Sequence, residues 1–291
     1  MPLSSLFQLL ALGAIWGSSF LFMRLAVPTL GPVMLIESRL MLASIFLLIL
    51  TVVLKKQVQL IKHWKHFLFL GTFNTAFPFI LLAYASKHLP VSLLVVLNAT
   101  GPIWAVFITF LLTQKLPPLQ TVIGTLLGLL GVYILVADNN SFELTPRVIS
   151  SICAGLTATI GYAMATVYTA RSQVKVDSFA NAYGSMWCSA LILLPVVPFY
   201  PAYQLPSTEV IIGVLILGVV CSAIAYLLYF KLITDIGPTP ALSVTYLIPM
   251  FGMLWGALFL EEDINWHHIV GAITVVMGTA FVAGINIKNT R

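Results

Sequence analysis

Charge is what this sequence has least of. Asp, Glu, Lys and Arg make up 8% of its 291 residues, where a soluble domain carries about 25%. A water-facing surface of ordinary extent is therefore excluded. Cysteine is scarce and odd in number, at three. Cys153, Cys188 and Cys221 all fall in apolar stretches, which argues for buried small residues and against a disulfide framework. The sequence has no G-x-S-x-G elbow, no H-E-x-x-H pair and no paired aspartates in mid-run, so the acid, base and metal of an intramembrane enzyme are missing. Rings of charge or a carbonyl filter, which would mark a channel, are not evident either. His63 and His66 have a spacing that suits a metal, but they sit among lysines in a connecting segment and read as part of a solvated basic loop. No metal or cofactor is expected.

What is present is apolar. Hydrophobic residues make up 60% of the chain and the mean hydropathy is +1.03, spread evenly enough to predict many spans rather than one anchor. Ten stretches of about twenty residues emerge: 5–27, 33–53, 67–86, 91–112, 119–137, 148–170, 179–200, 208–233, 239–260 and 266–286. Each matches a hydrocarbon core of about 30 Å at 1.5 Å per residue. Continuous runs rather than short alternating segments predict helices and not barrel strands. The first stretch lacks a basic leader and a small-residue cleavage site, so it reads as a retained helix.

Basic residues give the orientation. One side carries Lys55, Lys56, Lys62, Lys65, Lys115, Arg171, Lys175, Lys231, Lys288 and Arg291, and the other only Lys87 and Arg147. Lys and Arg stay in the cytoplasm, which predicts a multi-pass protein of the inner (plasma) membrane with both termini inside. The net charge of +5 is this asymmetry. It builds no basic face with interleaved aromatics, so no nucleic-acid partner is expected.

The two halves repeat. An offset of 147 positions pairs Leu70-Gly71 with Leu217-Gly218, Ala76 with Ala223, Leu81 with Leu228, Pro102 with Pro249, Gly124 with Gly271, and Gly131 with Gly278. Five spans is an odd number, so a tandem copy lies upside down and matching loops should change charge. The Lys55 to Lys65 segment corresponds to AYQLPSTEVII at 202–212, which has no base, and Lys115 corresponds to Glu262. The predicted units are 1–143 and 144–291, related as inverted repeats. Secondary transporters are built this way, with the binding site near the midplane between the halves.

Three prolines deep in spans single out a site. Proline lacks an N–H and leaves the carbonyl four residues earlier without its helical partner. Pro102, inside Asn98-Ala-Thr100-Gly-Pro, does this at Asn98. Pro78 does it at Asn74 and Pro249 at Thr245. Each turn thus holds a freed carbonyl beside a polar side chain. Such a turn either faces a cavity as donor and acceptor or satisfies the kink and bonds a neighbouring helix. Pro195 and Pro198 lack the polar residue and read as kinks or a helix end.

The segments AIWGSSFLFMRLA, GPVMLIESRLMLA, PIWAVFITFLLTQKLPPLQTVIGTLLGLLGVYILV and PMFGMLWGALFLEEDINWHHIVGAITVVMGTAFVAG resemble the EamA family of the drug/metabolite transporter superfamily over nearly the whole chain. Trp16-Gly17 followed by Phe20 and Arg24, Arg39 seven residues after Pro32, and the pattern from Pro249 to Gly278 carry the resemblance most specifically. It implies an all-α integral membrane protein with ten transmembrane helices as two inverted five-helix repeats around a central cavity. It also implies export of amino acids and related metabolites, with some members moving other solutes. Two departures stand out: Gln114-Lys115 replaces the family's acidic position after the fourth span, and Glu37 is atypical.

Ionisable groups in lipid are expensive and often functional. Arg24, Glu37 and Arg39 are the three within spans, all in the outer third, where snorkelling to the interface competes with a function. Glu37 and Arg39 project to different helix faces. Glu37 is expected to pair with Arg24 across the hairpin, leaving Arg39 to attract an anionic group such as a substrate carboxylate. Tyr162, Tyr168, Trp187, Tyr226, Tyr229 and Tyr246 either line a pocket or are ordinary packing and interface residues. Gly124, Gly128 and Gly131 form a stripe suited to close helix packing.

The expected binding set is Asn74, Asn98, Thr100, Tyr226, Thr245, Tyr246 and Arg39, with Arg24, Glu37, Trp16, Pro78, Pro102 and Pro249 in gating or structural roles. The expected activity is alternating-access movement of amino acids or related zwitterions. Small drugs, nucleotide sugars and other metabolites stay open as substrates, and a homodimer stays open as an assembly. With no acid expected deep in the bundle, facilitated or exchange transport is favoured over proton-coupled export of a cation.

Overall fold

A computed structural model describes residues 3–116, 118–136, 145–174, 176–236, 244–261 and 263–282. Among them every regular element is helical. Helix α1, Leu3–Val53, is 51 residues long, which at 1.5 Å per residue would reach about 77 Å, more than twice a hydrocarbon core. It does not run straight. Gly31, between Pro28 and Pro32, adopts φ 72° and ψ 163° and divides the helix into two limbs. The guanidinium of Arg39 lies 4.0 Å from the Met23 sulfur, sixteen positions away, so the limbs fold back on each other. The first two expected spans are this hairpin. A Cβ at Gly31 would meet the Tyr203 ring at 3.1 Å, so glycine is required there for its backbone and for its size. The amides of Tyr203 and Gln204 both donate to the Thr29 carbonyl, at 2.9 and 3.1 Å, strapping the bend.

The next span combines α2 (Trp64–Leu70), a π-helical turn over Gly71–Ala76 and α3 (Phe77–Ala85). It starts earlier than expected, and that corrects the reading of His66. His66 is buried in α2 rather than solvated, and its two ring nitrogens bond Tyr168 Oη at 3.2 Å and Asn181 Oδ1 at 3.0 Å. The lysines around it point elsewhere because a helix separates neighbours by about 100°. Replacing His66 with leucine leaves both partners short of a bond in a buried place. The expected cost is about 1–3 kcal/mol, seen as a lower thermal midpoint in detergent.

Helix α4 (Val91–Asn98) stops where the sequence predicts a break, and α5 (Gly101–Thr113) resumes with Pro102 in its first turn. Then come α6 (Leu119–Val136), α7 (Pro146–Arg171) and α8 (Ser178–Leu193), the last running into a 3-10 turn over Leu194–Phe199 that holds Pro195 and Pro198. Side-chain caps start three helices by satisfying otherwise orphaned amides: Thr145 takes the Val148 amide, Asp177 the Ala180 amide and Ser207 the Val210 amide. Helix α9 (Thr208–Gly218) passes through a second π-helical turn, Val219–Ile224, into α10 (Ala225–Ile236). Helices α11 (Val244–Leu260) and α12 (Trp266–Val282) close the described chain.

Six of these segments are long and apolar enough to cross a membrane, with α1 counted once, and parts of α6, α11 and α12 form shorter apolar helices. The chain is therefore read as a multi-pass membrane protein.

A close helix crossing, backbone against backbone, joins α6 to α12. A Cβ on Gly131 would lie 2.9 Å from the Gly271 carbonyl and 2.7 Å from the Val275 amide nitrogen, and one on Gly278 would lie 2.6 Å from the Gly124 carbonyl. The glycine stripe is thus a packing feature, as its spacing predicts. The two halves also meet at Gly71, where a Cβ would sit 2.9 Å from that of Cys188, and at Gly218, where it would sit 2.6 Å from that of Leu42.

Candidate functional site

The second limb of α1 carries Arg39 inward, at 3% exposure. Its Nε donates to Ser222 Oγ at 2.6 Å and its Nη2 to the Cys221 carbonyl at 3.4 Å. The guanidinium carbon stands 3.9 Å from the centre of the Phe79 ring, a distance at which the ring's negative face attracts a cation. The Tyr162 and Tyr226 hydroxyls and the Cys221 thiol lie within its electrostatic reach. Among the described residues Arg39 makes no ion pair. Hydroxyl, carbonyl and aromatic groups therefore hold a buried cation whose charge is not neutralised.

The π-helical turns explain the carbonyl acceptors. In the first turn the Phe77 amide bonds back to the Thr72 carbonyl, and in the second the Ala225 amide bonds back to that of Val220, each five residues away. One extra residue enters the turn, and carbonyls are freed to point outside their own helix. Tyr226 Oη donates to the Asn74 carbonyl at 3.4 Å, while Arg39 takes the Cys221 carbonyl. Asn74 and Cys221 are themselves 147 positions apart. Around them Trp16 packs against Tyr226 and Tyr229, with ring centres 5.8 and 5.2 Å apart, and Ser18 Oγ is 3.7 Å from the Cys221 sulfur. The Asn74 side chain makes no hydrogen bond to another described residue and is only half-buried. Arg39, Asn74, Tyr226 and Trp16 are thus drawn into one neighbourhood by α1, α3, α10 and the two π turns.

The remaining expected residues are distributed differently. Asn98 ends α4, and its side-chain Oδ1 is buried without a donor among the described residues. Thr100 is buried and donates within its own turn to the Leu97 carbonyl at 2.7 Å, with Thr159 Oγ1 3.3 Å away. It therefore ties the α4–α5 junction to α7. Pro78 is buried against α7, where a Cβ on Gly161 would meet its ring at 3.0 Å. Pro249 lies inside α11 and is buried. The side chains of Pro102, Thr245 and Tyr246 lie outside the described residues, as do Lys175, Glu262, Lys288 and Arg291.

The Arg24 to Glu37 pair does not form. Arg24 Nη1 donates to the carbonyls of Ser86 and Leu89, at 2.7 and 2.9 Å, so the loop after α3 takes it. Glu37 is 4% exposed, and neither of its carboxyl oxygens has a hydrogen-bond partner among the described residues. Snorkelling fails for Glu37 and Arg39 alike, because both project into protein. Tyr168, a weaker candidate, belongs to the His66 network, and its ring centre lies 4.2 Å from that of Phe69.

Sequence reasoning missed Phe79, Ser222 and Cys221 as the groups that hold Arg39. Phe79 follows Pro78 directly and would have been reachable from it. Ser222 and Cys221 carry no proline signal, and only the 147-residue offset from Thr75 and Asn74 points to them.

A model of the EamA-like transporter family matches residues 3–137 and 149–284. Similar proteins include Protein PecM of Dickeya dadantii, 22% identical with 95% of this chain and 91% of that protein covered. Protein PagO of Salmonella typhimurium is 25% identical, with 95% and 91% covered. The inner membrane transporter YedA of Escherichia coli is 25% identical, with 85% and 80% covered. A solved crystal structure superposes with a TM-score of 0.68 at 16% identity, covering 97% of this chain and 96% of the other, a likeness of fold.

Proposed function

The chain belongs to the EamA-like transporter family, and from that premise we propose that it exports amino acids or related zwitterionic metabolites by alternating access. Arg39 carries this reading. A buried cation with no ion pair among the described residues is expensive in a membrane protein, and a substrate carboxylate is the group that would repay it. Trp16, Tyr226 and Tyr229 offer apolar faces beside it, and the half-buried Asn74 amide offers both a donor and an acceptor. In this reading the carboxylate docks on Arg39, Asn74 orients the substrate, and the aromatic faces exclude water from its apolar part.

The architecture proposed is ten transmembrane helices in two inverted five-helix repeats, units 1–143 and 144–291, around a central cavity. Several paired features support it. The Gly131 to Gly271 and Gly124 to Gly278 contacts exchange under the 147-residue offset. Gln114 and Glu261, the same distance apart, both take a left-handed φ of 53°. The two π-helical turns fall one residue from the same offset, and the two family-matched segments correspond to the two halves. The proposed location is the inner membrane with both termini cytoplasmic, as the basic loops argue.

The test is counterflow in proteoliposomes. Vesicles loaded with mixed unlabelled amino acids should take up a labelled one saturably, and faster than unloaded or protein-free vesicles do. A flat response for every amino acid overturns the substrate reading and moves the search to small drugs and nucleotide sugars. Conductance without saturation or exchange overturns the carrier reading.

A further inference from the structure

We propose that Glu37 is a proton-binding group linked to the Arg39 site, so that the carrier exchanges substrate for a proton; this rests on the carrier reading above. The carboxyl group is buried at 4% exposure, and neither oxygen accepts a hydrogen bond from a described residue. An ionised carboxylate in that position has lost its water and gained nothing in return, whereas the neutral acid loses far less. In the conformation described, Glu37 therefore holds a proton.

Its charged neighbours cannot take over that role. Arg24 is committed to the Ser86 and Leu89 carbonyls. Arg39 is two positions along the same limb, about 200° around the helix, and is turned to Ser222 and Phe79. Among the described residues Glu37 makes no ion pair.

The link to substrate is mechanical. Glu37 and Arg39 ride on one rigid limb, and that limb is fastened to the second π-helical turn by the Ser222 and Cys221 bonds and by the close seat of Gly218 on Leu42 and the Arg39 carbonyl. A substrate anion that takes the guanidinium competes with Ser222 and Cys221 and loosens the limb. Water then reaches Glu37, and its O–H bond breaks to give the carboxylate and one proton released to the open side. Rebinding of a proton restores the buried neutral acid and the closed limb. Substrate and proton so exclude one another, and linkage makes the exclusion reciprocal.

Two measurements test this. In proteoliposomes showing counterflow, an acidic interior should drive labelled substrate above its equilibrium level in the wild type. Glu37→Gln, which mimics the neutral acid, should lose this gradient dependence. A wild type indifferent to the gradient, or a variant that responds as fully, overturns the proposal. The second measurement needs no substrate. Infrared difference spectra of wild type against Glu37→Gln at neutral pH should contain a protonated-carboxyl C=O band, and its absence overturns the proposal. If the variant does not fold, loss of the band during an alkaline titration of the wild type gives the same answer. A band in a protein that moves no amino acid leaves the proton site standing and rejects the substrate reading alone.

Discussion

Arg39→Gln is expected to abolish saturable counterflow of carboxylate-bearing substrates while leaving the protein folded. Losing one partner of a buried, hydrogen-bonded charge pair costs about 2–5 kcal/mol, or roughly 30-fold to above 1,000-fold in affinity. Stability should move little, and in either direction. Glutamine still reaches Ser222 with an amide, and it relieves the protein of a buried cation that no carboxylate among the described residues neutralises. What is lost is the 3.9 Å contact with the Phe79 ring, worth about 2 kcal/mol or more when desolvated, and the bond to the Cys221 carbonyl. Thermal midpoint and transport should therefore separate. Arg39→Lys tests the geometry within the charge. Lysine keeps the cation but has no planar fork to span Ser222 and the Cys221 carbonyl, so it should fall between wild type and Arg39→Gln. Unchanged affinity in Arg39→Gln for a zwitterion would remove Arg39 from the binding site, and with it the reason to prefer amino acids.

Much of this neighbourhood is legible in the amino-acid sequence, and the reasons are physical. Proline removes an N–H wherever it stands, so Pro78 pointed to the Asn74 carbonyl, and Tyr226 from the other half donates to it. Arg39 stood out because an arginine in a span is costly whatever surrounds it. The partners of such a group are another matter. Ser222 lies 183 positions from Arg39, and nothing local in the sequence encodes that approach; only the internal offset, which makes Ser222 the counterpart of Thr75, hints at it. Arg24 shows the opposite limit. The hairpin brings Glu37 within its general region, but a flexible side chain chooses among all acceptors in reach, and two backbone carbonyls at the end of α3 hold it. Burial was equally hidden at His66, where a start only three residues earlier than expected turned a loop histidine into a buried one.

Gly278→Leu is expected to cost most of the folded protein. Lipid tails are as apolar as leucine, so helices in a membrane associate through close packing rather than through a hydrophobic drive, and small residues are what permit the approach. At Gly278 a Cβ would stand 2.6 Å from the Gly124 carbonyl oxygen and 2.8 Å from the Gly128 Cα. Both are backbone atoms, which cannot swing aside as a side-chain tip does, so α6 and α12 must separate along the crossing. Overpacking typically costs about 1–3 kcal/mol and occasionally more, and a clash with two backbone atoms belongs at the upper end. The measurement is the monodisperse fraction on size exclusion in detergent, with the thermal midpoint of what remains. Gly101→Ala is the control, because a Cβ there meets no atom of a described residue within 4 Å; a compatible glycine-to-alanine change stabilises by about 0.4–1 kcal/mol. Gly131→Leu makes the sharper comparison. Its Cβ would press on the Gly271 carbonyl at 2.9 Å and the Val275 amide nitrogen at 2.7 Å, the same crossing met from the other helix. If the halves are inverted copies, the two leucine substitutions should be equally damaging, since one contact maps onto the other. A large loss at one position with tolerance at the other would mean that the crossing is not symmetric, and the paired glycines would then no longer support the repeat.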